Sequence, residues 1–186
     1  MINEPVEYTV IRSRRRTVAV VIDTDARLIV RAPLRMSERA IAEFVSSKQD
    51  WIKKHQEKMR QRVKKRNEVP AFSPDEREEL IRKALKIIPE RVAYFAPIVG
   101  VDYGKITIRN QKTVWGSCST KGNLNFNFLL AALPPDVTDY VVVHELCHRK
   151  EMNHSARFWA EVEKIVPNHK KIRKWLKEEG AVYLER

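Results

Sequence analysis

The stretch Tyr140-Val141-Val142-Val143-His144-Glu145-Leu146-Cys147-His148 sets two imidazoles and one carboxylate in an H-E-x-x-H pattern behind a run of apolar residues. Leu133-Pro134-Pro135-Asp136 opens a helix just before it, expected to run to about Lys150. Four residues on a helix advance about 400°, so His144 and His148 project from one face about 6 Å apart, close enough to bind one ion. Glu145 lies about 100° further round, beside such an ion rather than on it, where it can take a proton from a water the ion activates. With 5 His and 17 Glu in 186 residues, chance supplies roughly 0.01 such patterns. The chemistry implied is metal-assisted hydrolysis.

A catalytic zinc needs a third protein ligand and one open position. His154 follows His148 across Met152-Asn153, where the helix should end, and a chain that turns back there returns an imidazole to the ion. Glu161 and Glu163 compete as carboxylate ligands. His169, between Asn168 and Lys170, reads as a surface residue.

Upstream, β-branched runs at 6–12, 17–22 and 27–31 predict a small antiparallel meander. Ser37 then caps a helix with Ala40, Ile41, Phe44, Val45, Trp51 and Ile52 on one side, continuing as one piece to Arg66 through a strongly basic stretch. A break at Val69-Pro70 precedes Ser73-Pro74-Asp75-Glu76, the start of a helix to about Ala96 with a kink at Pro89. Strands follow at 105–109 and 123–128, the second alternating as an exposed strand does and offering an edge to an extended peptide. Helices near 155–166 and 168–179 close the chain, with Gly180 as the stop. The class is α+β in two parts: 1–69, a β-meander plus basic helix, and 70–186, the part that carries the chemistry.

The formal net charge is +12, with 17 Lys/Arg against 9 Asp/Glu in residues 1–69 and 19 against 15 in residues 70–186. Charge and chemistry therefore belong largely to different segments. Lys53, Lys54, Arg60, Lys64 and Lys65 are the candidate contacts to a nucleic acid or nucleotide. The apolar runs 129–133 and 140–143 fall far short of the ~20 residues a membrane span needs, and residues 1–16 hold no apolar signal core. A cytoplasmic protein without membrane partners is expected, with Cys118 and Cys147 reduced.

Beyond H-E-x-x-H, the segments Trp115-Gly116-Ser117-Cys118-Ser119, Leu124-Asn125-Phe126-Asn127, Leu133-Pro134-Pro135, Asn153-His154-Ser155 and Phe158-Trp159 resemble the YgjP-like metallopeptidase family, relatives of SprT-like and WLM-type zinc proteases. Arg12-Ser13-Arg14-Arg15 and Arg31-Ala32-Pro33 resemble the same family's β-rich start. The resemblance implies a zincin-like core, a small antiparallel sheet with an active-site helix, and one Zn²⁺ per chain on His144, His148 and His154. It further implies Glu145 as general base, peptide or protein substrates, and Trp115 on the substrate side; Asn125 and Asn127, on the alternating strand, are further substrate-side candidates. Tyr140, Arg157 and His169 are open candidates for an oxyanion stabiliser. Two rival readings use the same ion: a nucleotide or phosphoester hydrolase, and a nucleic-acid-associated protein with a structural zinc site.

Overall fold

The computed structural model describes residues 7–68 and 71–184, and the chain divides into two units, Met1–Val69 and Pro70–Arg186. Residue 6 of the first expected strand and the expected break at Val69-Pro70 lie outside the described residues.

In the first unit the β-branched runs form β1 (Thr9–Ser13), β2 (Ala19–Ile22) and β3 (Leu28–Pro33). They are not a meander. β3 lies in the middle, parallel to β1 and antiparallel to β2. Burial explains the order: Leu28, Val30 and Ala32 alternate inward along β3 and are at most 2% exposed, whereas all of β2 is half-buried. A meander would put β2 in the centre and strand the most apolar segment on an edge.

Ser37 caps α1 (Glu38–Ser47), its hydroxyl accepting from the Ala40 N–H. The single basic helix expected there is interrupted. Lys48, at φ −109° and ψ 12°, ends α1, and α2 (Gln49–Glu68) begins anew. The Ser47 hydroxyl donates to the Phe44 carbonyl at 2.7 Å, a local bond that competes with helix continuation. Ile41, Val45 and Ile52 still reach one small core with Leu28, Val30 and Ala32, whereas Trp51, expected on the same side, is 42% exposed.

The second unit begins with α3 (Pro74–Val99), started by a reciprocal capping box between Ser73 and Glu76. It passes Ala96 and stops at Gly100, which takes the left-handed φ of 77°. A second sheet joins β4 (Ile106–Arg109), β5 (Gly116–Cys118) and β6 (Leu124–Asn127) in the order β4-β6-β5. It is mixed rather than antiparallel, with β6 parallel to β4 and antiparallel to β5. Leu124 and Phe126 are fully buried, which demands the central place. Both sides of β6 are therefore bonded, and the free peptide-binding edge expected at 123–128 does not exist.

A 3-10 turn (Phe128–Ala132) leads into α4 (Pro135–Cys147), followed by α5 (Ala156–Ile165), α6 (His169–Trp175), a π turn (Leu176–Gly180) and α7 (Ala181–Leu184). Gly180 does not stop the chain. A β-carbon there would stand 3.0 Å from Leu176 Cδ2 and 3.4 Å from Trp115 Cζ2, so the glycine serves close packing against Trp115. No described helix is long and apolar enough to cross a membrane.

Helix α4 is the centre of this unit. Its valine run favours strands by propensity, but Val137, Tyr140, Val141, Val142, Val143, Leu146 and Cys147 are buried around its circumference, and packing decides. The Thr138 hydroxyl donates to the Leu130 carbonyl at 2.9 Å, and Arg91 of α3 clamps Asp139 through Nε and Nη2 at 2.6 and 2.7 Å. The helix that carries the histidines is thereby fixed from its first turns onward.

Candidate metal centre

His144 lies in the last turn of α4 and His148 is its C-cap. The chain reverses over the next six residues: Asn153 Oδ1 accepts from the Ser155 N–H, and the Ser155 hydroxyl caps α5 by accepting from the Phe158 N–H. This turn returns His154 to His144, with their Nε2 atoms 3.0 Å apart. One potential ligand atom from each of His144, His148 and His154 lies within 4.8 Å of the other two. The ring centroids form a nearly equilateral triangle, 5.0, 4.9 and 4.9 Å on its sides.

Phe158, fully buried, underlies all three rings at 4.5 to 4.8 Å between centroids. Trp159 stacks on His154 at 5.6 Å and 24°. His148 Nδ1 faces the Glu151 carbonyl at 3.1 Å and so carries the proton, leaving the Nε2 lone pair free to ligate. Burial first, then the neighbouring His148 and His154, bring the His144 pKa down to about 3, so this ring is neutral. His144 Nδ1 is sealed with no hydrogen-bond partner among the described residues, so on that edge only packing holds the ring.

These residues fit a metal ion. Tetrahedral nitrogen ligands at about 2.0 Å from zinc stand about 3.3 Å apart, a spacing bracketed by the 3.0 and 4.8 Å separations here. Two imidazole nitrogens 3.0 Å apart also require a shared proton or a cation between them.

Glu145 is 5% exposed and rests against β5. Burial pushes its pKa up to about 8 when no metal is bound. It borders a cavity of about 440 Å³ that the three histidines share with Trp115, Gly116, Ser117, Cys118 and Tyr140. Burial, and secondarily Glu145, raise the Cys118 thiol, which keeps it protonated and unlike an activated nucleophile. Cys118 and Cys147 are both free.

Other expected residues fall elsewhere. Asn127 is fully buried and committed: its Oδ1 accepts from the Leu129 N–H and its Nδ2 donates to the Gln111 carbonyl at 2.6 Å. Asn125 accepts from Arg109 and donates to Ser117, and neither asparagine lines the cavity. Their amides shape the strands, so of the three substrate-side candidates only Trp115 lines the cavity. Glu161 pairs with Lys150 and Lys164, and Glu163 with Lys170, so neither competing carboxylate joins the histidines. His169 is not on the surface. It is 2% exposed and stacks on Trp159 at 5.5 Å and 13°, a partner ten residues back that its polar neighbours in sequence do not announce. Lys53, Lys54, Arg60, Lys64 and Lys65 are exposed on α2 in the first unit. Sequence reading passed over Arg173, whose guanidinium sits 4.6 Å over the Trp159 ring.

The chain is of the metallopeptidase class, because a family model for a YgjP-like metallopeptidase domain matches residues 16–80 and 74–179. These matches span most of its length. It belongs to the YgjP-like metallopeptidase family. Two solved metallopeptidase zymogens are similar over half of it. Abylysin of Pyrococcus abyssi is 27% identical, with 50% of this chain and 96% of its own covered and a TM-score of 0.46. Jannalysin of Methanocaldococcus jannaschii is 21% identical, with 50% and 97% covered and a TM-score of 0.45. No curated protein matches the chain.

Proposed function

We propose that this protein is a zinc-dependent peptidase in which His144, His148 and His154 hold the ion and Glu145 acts as general base. The convergence of three histidines on one point beside a buried carboxylate carries the reading. Zinc in such a site supplies Lewis acidity, activating a water and polarising a carbonyl. Glu145 accepts the proton of the attacking water and returns it to the departing amine. Its packing against Gly116 keeps the carboxylate at the cavity wall, and the low dielectric there strengthens its interaction with a nearby positive charge. Trp115 and Met152 form apolar walls suited to side chains of an unfolded peptide.

Elemental analysis of the purified protein should give about one zinc per chain. The zinc-loaded protein should cleave an unfolded protein such as reduced casein, and Glu145→Gln should keep the zinc while losing about 10²–10⁴-fold in rate. Nucleoside triphosphates belong in the same assay. Cleavage of these alone, or equal rates from the Gln variant, would overturn the peptidase reading.

A further inference from the structure

When water adds to a peptide carbonyl, its oxygen bonds to the carbonyl carbon, the C=O π pair moves onto the carbonyl oxygen, and the water proton passes to the base. The new negative charge needs a donor placed in advance. Of the three residues left open by the sequence, two are removed by position. Arg157 lines a separate depression with Lys150, Glu151, Ala160 and Glu161, and His169 is sealed behind Trp159.

Tyr140 remains, and its surroundings suit the task. It lies one helical turn before His144, with ring centroids 5.8 Å apart, and it lines the cavity with the three histidines and Glu145. Around the α4 axis it stands about 40° to one side of His144 while Glu145 stands about 100° to the other, so donor and base flank the same histidine. The residue is 4% exposed, yet its hydroxyl is not among the sealed polar atoms and makes no hydrogen bond among the described residues. A buried phenol normally finds a partner; this one opens on the cavity without one. Arg173, held over Trp159, has no carboxylate partner among the described residues, and its charge bears on both Tyr140 and His144.

We propose that the Tyr140 hydroxyl donates the hydrogen bond that stabilises the oxyanion, with the Arg173 guanidinium over Trp159 adding positive charge to the surroundings; this rests on the peptidase reading above. Tyr140→Phe removes one oxygen and keeps the packing. On reduced casein and on a quenched-fluorescent peptide, it should lower kcat about 100-fold with KM within about twofold. Arg173→Met should lower kcat by a smaller factor, about 10-fold. A phosphinic peptide, which mimics the tetrahedral anion, should bind Tyr140→Phe more weakly by a factor like that lost in kcat, while zinc content and melting temperature stay unchanged. Wild-type kcat in Tyr140→Phe, undiminished phosphinic binding, or a parallel loss of zinc would overturn the assignment. A wild-type protein inert toward peptides would instead sink the peptidase reading, and this assignment with it.

Discussion

Gly116 and Glu145 occupy adjoining space: a β-carbon at position 116 would stand 2.8 Å from both Cγ and Oε1 of Glu145. The bare backbone of β5 is therefore the wall against which the buried carboxylate rests. Gly116→Ala should displace Glu145 at a stability cost of about 1–3 kcal/mol, the usual range for overpacking. Zinc content should be kept while peptide hydrolysis falls nearly as far as in Glu145→Gln. Zinc and turnover measured on one preparation check this, and full turnover in the alanine variant would show that the wall does not hold the carboxylate.

His154 and His169 both face Trp159, on His154's side as a member of the triangle and on His169's side as buried packing. Their removal should separate the two roles. His154→Ala should weaken zinc binding at least about 100-fold, and His169→Ala about 10-fold or less, since it acts only through the orientation of Trp159 and His154. Chelator competition measures both constants. The reverse ranking would assign the third ligand wrongly.

Much of this site was legible because its signals are local. H-E-x-x-H on a helix fixes the separation of His144 and His148, and the serines at 37, 73 and 155 mark helix starts through bonds to residues three positions on. What escaped was set by distant partners. Strand order depends on which strand is most buried, so β3 and β6 moved to the centre of their sheets although each comes last in sequence. Asn125 and Asn127 looked available until the carbonyls, hydroxyls and guanidinium that occupy them were in place. Neither His169 nor Arg173 shows in sequence that Trp159 will be its neighbour.

Glu145 should make the metal-free protein lose stability as pH rises from about 4.5 to about 8. Burial lifts Glu145 from the usual 4.5 to about 8, so across that interval the unfolded chain has released a proton the native state retains. The unfolded state then binds fewer protons, and unfolding becomes easier with each step upward in pH. His144 works in the other window: its pKa, lowered from 6.5 to about 3, removes stability as pH falls below 6.5. Glu145→Gln abolishes only the first effect. Melting temperatures of chelator-stripped wild type and Gln variant should diverge from pH 5 to pH 8, the variant being favoured, and a constant difference would mean that Glu145 ionises normally in the fold.

The basic residues of α2 offer the last test, because their distribution can separate a binding surface from a merely solvated helix. Ile52, Gln56, Met59 and Val63 follow one side of α2, where Gln56 donates to the Ala26 carbonyl. Lys53, Lys54, Lys58, Arg60, Lys64 and Lys65 are all exposed and fall within an arc of roughly 160° at 100° per residue. Within that arc these six cations face three acidic residues, Asp50, Glu57 and Glu68, the last of them paired with Lys64. A one-sided array of this kind should hold the phosphates of a nucleic acid through charge alone. Binding to a generic DNA duplex, followed by fluorescence anisotropy, should fall with salt at a log–log slope of about −4 to −5 if five cations engage phosphates. Replacing Lys53, Lys54, Arg60, Lys64 and Lys65 with Gln should remove that binding and leave peptide hydrolysis intact. Affinity that is absent at 50 mM salt, or insensitive to salt, would reduce this face to a solubilising one.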